Sequence, residues 1–116
     1  MFVLILHWDD DTSWEYTSFT FYSDHNKAHA KLKEEMLNWL DNSKLLGASW
    51  LARIVDTEDF SDSEKGFDLE SDDYNFSINR DYACYNDNNE CNRLALSIVE
   101  ITKDHYNQWL FIDARV

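Results

Sequence analysis

The sequence predicts an α+β domain, a mostly antiparallel sheet of about five to six strands with one main helix packed on a face. Three observations lead there. Apolar residues recur at helical spacing over one long stretch. Several short runs on either side of it are rich in aromatic and β-branched residues. The 116 residues are 44% hydrophobic and 16% aromatic, which is enough to build a core in one domain spanning 1–116.

Phe2–Trp8 is a short continuous apolar run ended by acids. Its length and composition suit a central strand covered on both faces. Asp9–Ser13 reads as a turn, and Trp14–Tyr22 as a second strand that pairs antiparallel with the first. Ser23 or Asp24 can then cap a helix. His25, Ala28, Leu32, Met36, Trp39 and Leu40 form its apolar stripe, while Lys27, Lys31, Glu34 and Asn38 fall opposite. This helix is expected from about Asp24 to Asp41 or Lys44, with Gly47 as a stop signal.

Trp50–Val55 reads as a third strand. The segment Asp56–Asp73 reads as an acidic loop that Phe60, Phe67 and Leu69 pin to the body. Tyr74, Phe76 and Ile78 alternate with polar residues, as in a half-buried strand that continues toward Tyr85. Asn86–Asn89 is a turn, Leu94–Thr102 a strand, and Gln108–Val116 a last strand. The expected order is ββαβ, then a β-hairpin and a closing strand. With a tight turn, Cys84 and Cys91 face each other across that hairpin, and reduced thiols are their expected state.

Charge is the informative feature. The net charge is −13, from 23 acids and 10 bases. Such a balance repels nucleic acid and anionic membranes and keeps copies of the chain apart. A monomer that binds neither directly is expected. Met1–Trp8 lacks the basic start and cleavage site of a signal peptide, and no apolar run suits a membrane span, so a cytoplasmic protein is expected.

The acids are concentrated. Asp56, Glu58, Asp59, Asp62, Glu64, Asp68, Glu70, Asp72 and Asp73 face Lys65 alone within their segment. Asp9, Asp10 and Asp11 form a second cluster. One reading is a solvated loop, the usual fate of a charge run. The other is a surface that imitates the closely spaced charges of a nucleic-acid backbone and binds a basic protein. Trp8, Trp14, Tyr16, Phe60, Tyr74, Tyr82 and Tyr85 are then candidate anchors.

Other chemistry has little support. His25 and His29 have the spacing of two metal ligands on a helix, but the glutamate of a metalloprotease motif is missing. Boundary histidines are the simpler reading. The acids do not match a helix–loop–helix calcium site. No nucleophile elbow or phosphate-binding glycine loop occurs. The expectation is a protein that is not an enzyme and has no metal or cofactor.

In size, acidity, lack of proline and abundance of Asn and Asp, the chain resembles small phage-encoded inhibitors, namely anti-CRISPR and DNA-mimic antirestriction proteins. These share no diagnostic motif, so no residue role transfers. The resemblance implies an inhibitor that binds a basic partner, a CRISPR nuclease or restriction enzyme, at its nucleic-acid site. A toxin-neutralising immunity protein and a small regulatory domain with a ligand site at the helix–sheet junction are the rival readings.

Overall fold

The computed structural model describes residues 1–9, 15–42, 48–62, 64–88 and 92–101. Its elements are β1 (Phe2–Asp9), β2 (Glu15–Tyr22), α1 (His25–Asn42), α2 (Ala48–Thr57), β3 (Phe67–Glu70), β4 (Tyr74–Ile78), β5 (Tyr82–Asp87) and β6 (Arg93–Glu100). The fold is α+β. Six strands form one antiparallel sheet in the order β2-β1-β6-β5-β4-β3.

The first hairpin and the main helix follow the sequence reading. Asp24 is the helix cap, since its carboxylate accepts the Asn26 amide at 2.9 Å. Ala28, Leu32, Met36 and Leu40 stand four apart and are all buried. Lys31 reaches Glu34 and Glu35 on the outer side. The helix packs across β1 and β6, and α2 packs beside it. Leu4, Phe76, Ile78, Tyr85, Leu94 and Leu96 complete the core beneath them.

Strand β1 lies inside the sheet, between β2 and β6. Val3 and Leu4 point to opposite faces and are both buried. Leu4 alone of the two belongs to the core under the helices. Beyond Val3 the other face is only half-buried at Ile5, His7 and Asp9, so the expected cover on both faces is not met along the strand.

Three further expectations are corrected. Trp50–Val55 lies in the helix α2, not in a strand. Ala48, Leu51 and Val55 are its buried residues, a helical spacing that packs against α1. The Ile54–Val55 pair suggests a strand locally, but the tertiary contact prevails. Second, the acidic segment is not all loop: Phe67–Glu70 is the edge strand β3. At its entry Gly66 sits so close to the end of β4 that a Cβ there would lie 3.3 Å from the Ile78 carbonyl oxygen. Phe60 does pin the loop to the core, at 2% exposure.

Third, the strand from Tyr74 does not run on to Tyr85. Residues 79–81 turn the chain back, with the Asn79 side chain accepting the Asp81 amide at 3.0 Å and the Asn79 amide donating to the Tyr82 carbonyl at 2.8 Å. The resulting register pairs Cys84 with Ala95 rather than Cys91, and Cys84 is a free thiol. The expected strand Gln108–Val116, the turn at residues 10–13, Gly47 and Cys91 lie outside the described residues.

Candidate protein-binding surface

Seen by position, the acids of Asp56–Asp73 run from the helix layer to one edge of the sheet. All nine are exposed. Asp56 ends α2. Glu58, Asp59, Asp62 and Glu64 lie on the loop that leads to the start of β3. Asp68 and Glu70 stand on β3 itself, and Asp72 and Asp73 form the turn at its far end. The run is therefore a band from the end of α2 to the far end of β3, not a compact patch.

Some of these carboxylates also build their own loop. Asp59 accepts the Ser61 amide at 2.9 Å, and Asp62 accepts the Glu64 amide at 3.0 Å. Hydrogen bonds from the Ser61 hydroxyl and amide hold the Asp59 carboxyl below its ordinary pKa, with the charges of Lys65 and Lys33 adding to them. Lys65 pairs with Glu58 at 3.1 Å, and Lys33 donates to the Glu58 carbonyl. The far turn is tied down as well. The Asn88 amide bonds the Asp73 carbonyl at 2.9 Å, and its side chain reaches the Asp72 carbonyl at 3.3 Å.

The second acid cluster has a different place. Asp9 ends β1, and Arg93 grips it with two nitrogens, each at 2.8 Å. His7 stands 3.4 Å from both Asp9 and Glu15. Asp10 and Asp11 lie outside the described residues. Four strand spacings, about 19 Å, separate β1 from β3. Register nevertheless joins the clusters. Glu15, Asp9, Arg93, Asn86, Asn75 and Glu70 are successive cross-strand partners. They form one polar row across the whole sheet, on the face away from the helices. Thr17, His7, Ala95, Cys84, Ser77 and Asp68 form the adjacent row. Within it the Ser77 hydroxyl donates to the Asp68 carboxylate.

The expected anchors divide. Phe60 and Tyr85 are core residues, at 2% and 0% exposure, and have no surface to offer a partner. Trp8 and Tyr74 are half-buried. Tyr16 and Tyr82 are exposed, and Trp14 lies outside the described residues. A hydrogen bond with the Cys84 side chain, and then burial, pushes the Tyr82 phenol up to about 12. Sequence reasoning missed Trp50. It is 46% exposed on α2, and its ring meets Phe67 of β3 edge-on at 6.0 Å. Its neighbour in chain order, Leu51, is buried, and the helical period is the signal that separates the two.

The histidines act as ties. His25 bonds Asp81 at 2.5 Å, and His29 donates from Nδ1 to the Arg80 carbonyl at 2.8 Å. Both fasten the start of α1 to the β4–β5 turn. Among the described residues no cluster of His, Cys, Asp and Glu could hold a metal ion. A shallow groove of about 330 Å³ runs between α1 and α2, lined by Leu37, Asp41, Ser49, Ala52, Arg53 and Asp56. It lies between the two helices, not at the helix–sheet junction.

No protein-family model matches the chain, and no curated protein or solved structure is detectably similar to it.

Proposed function

We propose that this chain is an acidic protein inhibitor. It binds a nucleic-acid-binding enzyme, such as a CRISPR nuclease or a restriction enzyme, and blocks that enzyme's nucleic-acid site. The observation that carries the reading is the exposed band of nine carboxylates that runs from the end of α2 to β3 and its far turn, with Lys65 as the one base within it. A basic cleft built for phosphates gains the same charge–charge attraction from such a band. The rigid sheet holds part of the band at fixed spacing, so its order need not be created on binding. The chain acts as a monomer in the cytoplasm of a bacterial cell, without catalysis, and touches neither nucleic acid nor lipid itself. Among the described residues no helix is long and apolar enough to cross a membrane.

The test is an affinity pull-down from bacterial lysate at low and at high salt. A DNA-binding nuclease retained at low salt and released at high salt is the expected result. Changing Asp68, Glu70, Asp72 and Asp73 together to Lys then weakens that complex by about a hundredfold or more. Undiminished binding by this variant sinks the reading.

A further inference from the structure

We propose that the outer edge of β3 is a strand-docking site, and that its occupant is an extended basic segment with Lys or Arg at every second position and apolar residues between. Given the inhibitor reading, on which the sign of the partner's charge rests, that segment belongs to the nucleic-acid-binding enzyme.

The backbone comes first. β3 is the last strand of the sheet, and its inner side pairs with β4. The Ser71 amide bonds the Tyr74 carbonyl at 3.0 Å and closes the hairpin. Antiparallel pairs alternate between bonded and non-bonded. Counting from that closure, Leu69 and Phe67 spend their N–H and C=O groups on β4. Asp68 and Glu70 therefore direct theirs outward. Among the described residues no strand takes them. These groups are a template for one more strand.

Side chains then select the occupant. Phe67 and Leu69 are half-buried on the helix side, and exposed Trp50 leans on Phe67. Asp68 and Glu70 are exposed on the other side. An added strand must alternate in the same way, apolar toward Trp50 and cationic toward the carboxylates. The same two acids repel a second copy of β3, because like charges directly opposite destabilise a strand pair. The edge is thus closed to self-association and open to a basic strand. Charge supplies the choice, backbone hydrogen bonds the grip, and Trp50 an aromatic anchor of the kind that dominates interfaces.

A peptide of alternating Lys and Val is the probe, titrated against the full chain and followed by amide NMR and hydrogen exchange. Protection of the Asp68 and Glu70 amides on binding is the expected result. Proline is tolerated on an edge strand where its N–H would face solvent, so Glu70→Pro should keep the fold yet weaken the peptide by about tenfold. A peptide N-methylated at the amides that face β3 should lose binding to the unaltered chain, which guards against a Glu70→Pro variant that misfolds. Trp50→Ala should weaken the unmodified peptide as well. Equal binding of the methylated peptide, or shifts spread over Asp56–Glu64 with no protection on β3, overturns the docked strand and leaves a charge-driven inhibitor standing. Failure of both the peptide and every basic lysate protein to bind overturns the inhibitor reading too.

Discussion

Helix α1 and the segment Asp56–Asp73 each contain 18 residues, and they handle charge in opposite ways. The helix carries three lysines and three acids, with Lys31 set between Glu34 and Glu35. Its inner face fills the core through Ala28, Leu32, Met36 and Leu40. The acidic segment has nine acids and one lysine, and Phe60 is the one side chain in it that is fully buried among those described. One segment balances its charge and contributes burial. The other contributes little burial and leaves its charge on the surface. Self-repulsion costs stability, so a band of this kind weakens the fold that holds it unless an outside partner supplies the missing cations.

The largest effect tests where that contrast fails. Phe60→Ala should cost about 3–5 kcal/mol, because it empties a core site from within the acidic segment. Urea denaturation measures it, and a loss below about 1 kcal/mol would mean that the segment is not anchored. Next comes the helix. Asp24→Ala should cost about 1 kcal/mol through the lost cap. Lys31→Ala should change stability least of the three, since both its pairs are exposed. Burial of the Leu32 type, not charge, then accounts for the helix.

Salt sharpens the comparison further. Screening relieves repulsion among exposed carboxylates, so the melting temperature should rise with ionic strength. Neutralising Asp68, Glu70 and Asp72 as Asn, Gln and Asn should shrink that rise, while neutralising Glu34 and Glu35 should not.

The smallest effect concerns pH. Asp59 has its folded pKa lowered by the Ser61 hydrogen bonds. Its contribution is therefore present above the ordinary carboxylate pKa and is lost as pH falls through the depressed value. Protection of the Ser61 amide, taken relative to its intrinsic exchange rate at each pH, should fall over that range, and Asp59→Asn should remove the dependence.

The sequence made α1 legible because its apolar residues keep one period for more than four turns. The first hairpin was legible from composition. α2 was missed because the window Trp50–Val55 is too short to show a period; extending it back to Ala48 reveals the spacing of Ala48, Leu51 and Val55. β3 hid inside the charge run, although Phe67 and Leu69 alternate with Asp68 and Glu70 as a strand requires. The turn at Asn79–Asp81 combines a backbone hydrogen bond to Tyr82 with an Asn79 side-chain bond, which Asn makes readily but composition alone does not locate. For the site, exposure of the nine acids was readable from their chemistry. The row from Glu15 to Glu70 was not, because it depends on a strand order that places β6 beside β1 and β3 at the edge. Nor was Trp50, whose exposure follows from the helix that the local sequence concealed.

Competition for nucleic acid tests the central claim most directly. The basic enzyme retained from lysate would be bound to labelled duplex DNA and titrated with this chain at low salt. The inhibitor reading predicts that the chain displaces the DNA competitively, that added salt weakens the displacement, and that Asp68, Glu70, Asp72 and Asp73 changed to Lys abolish it. A ternary complex of enzyme, DNA and chain, or displacement untouched by the four reversals, would contradict it.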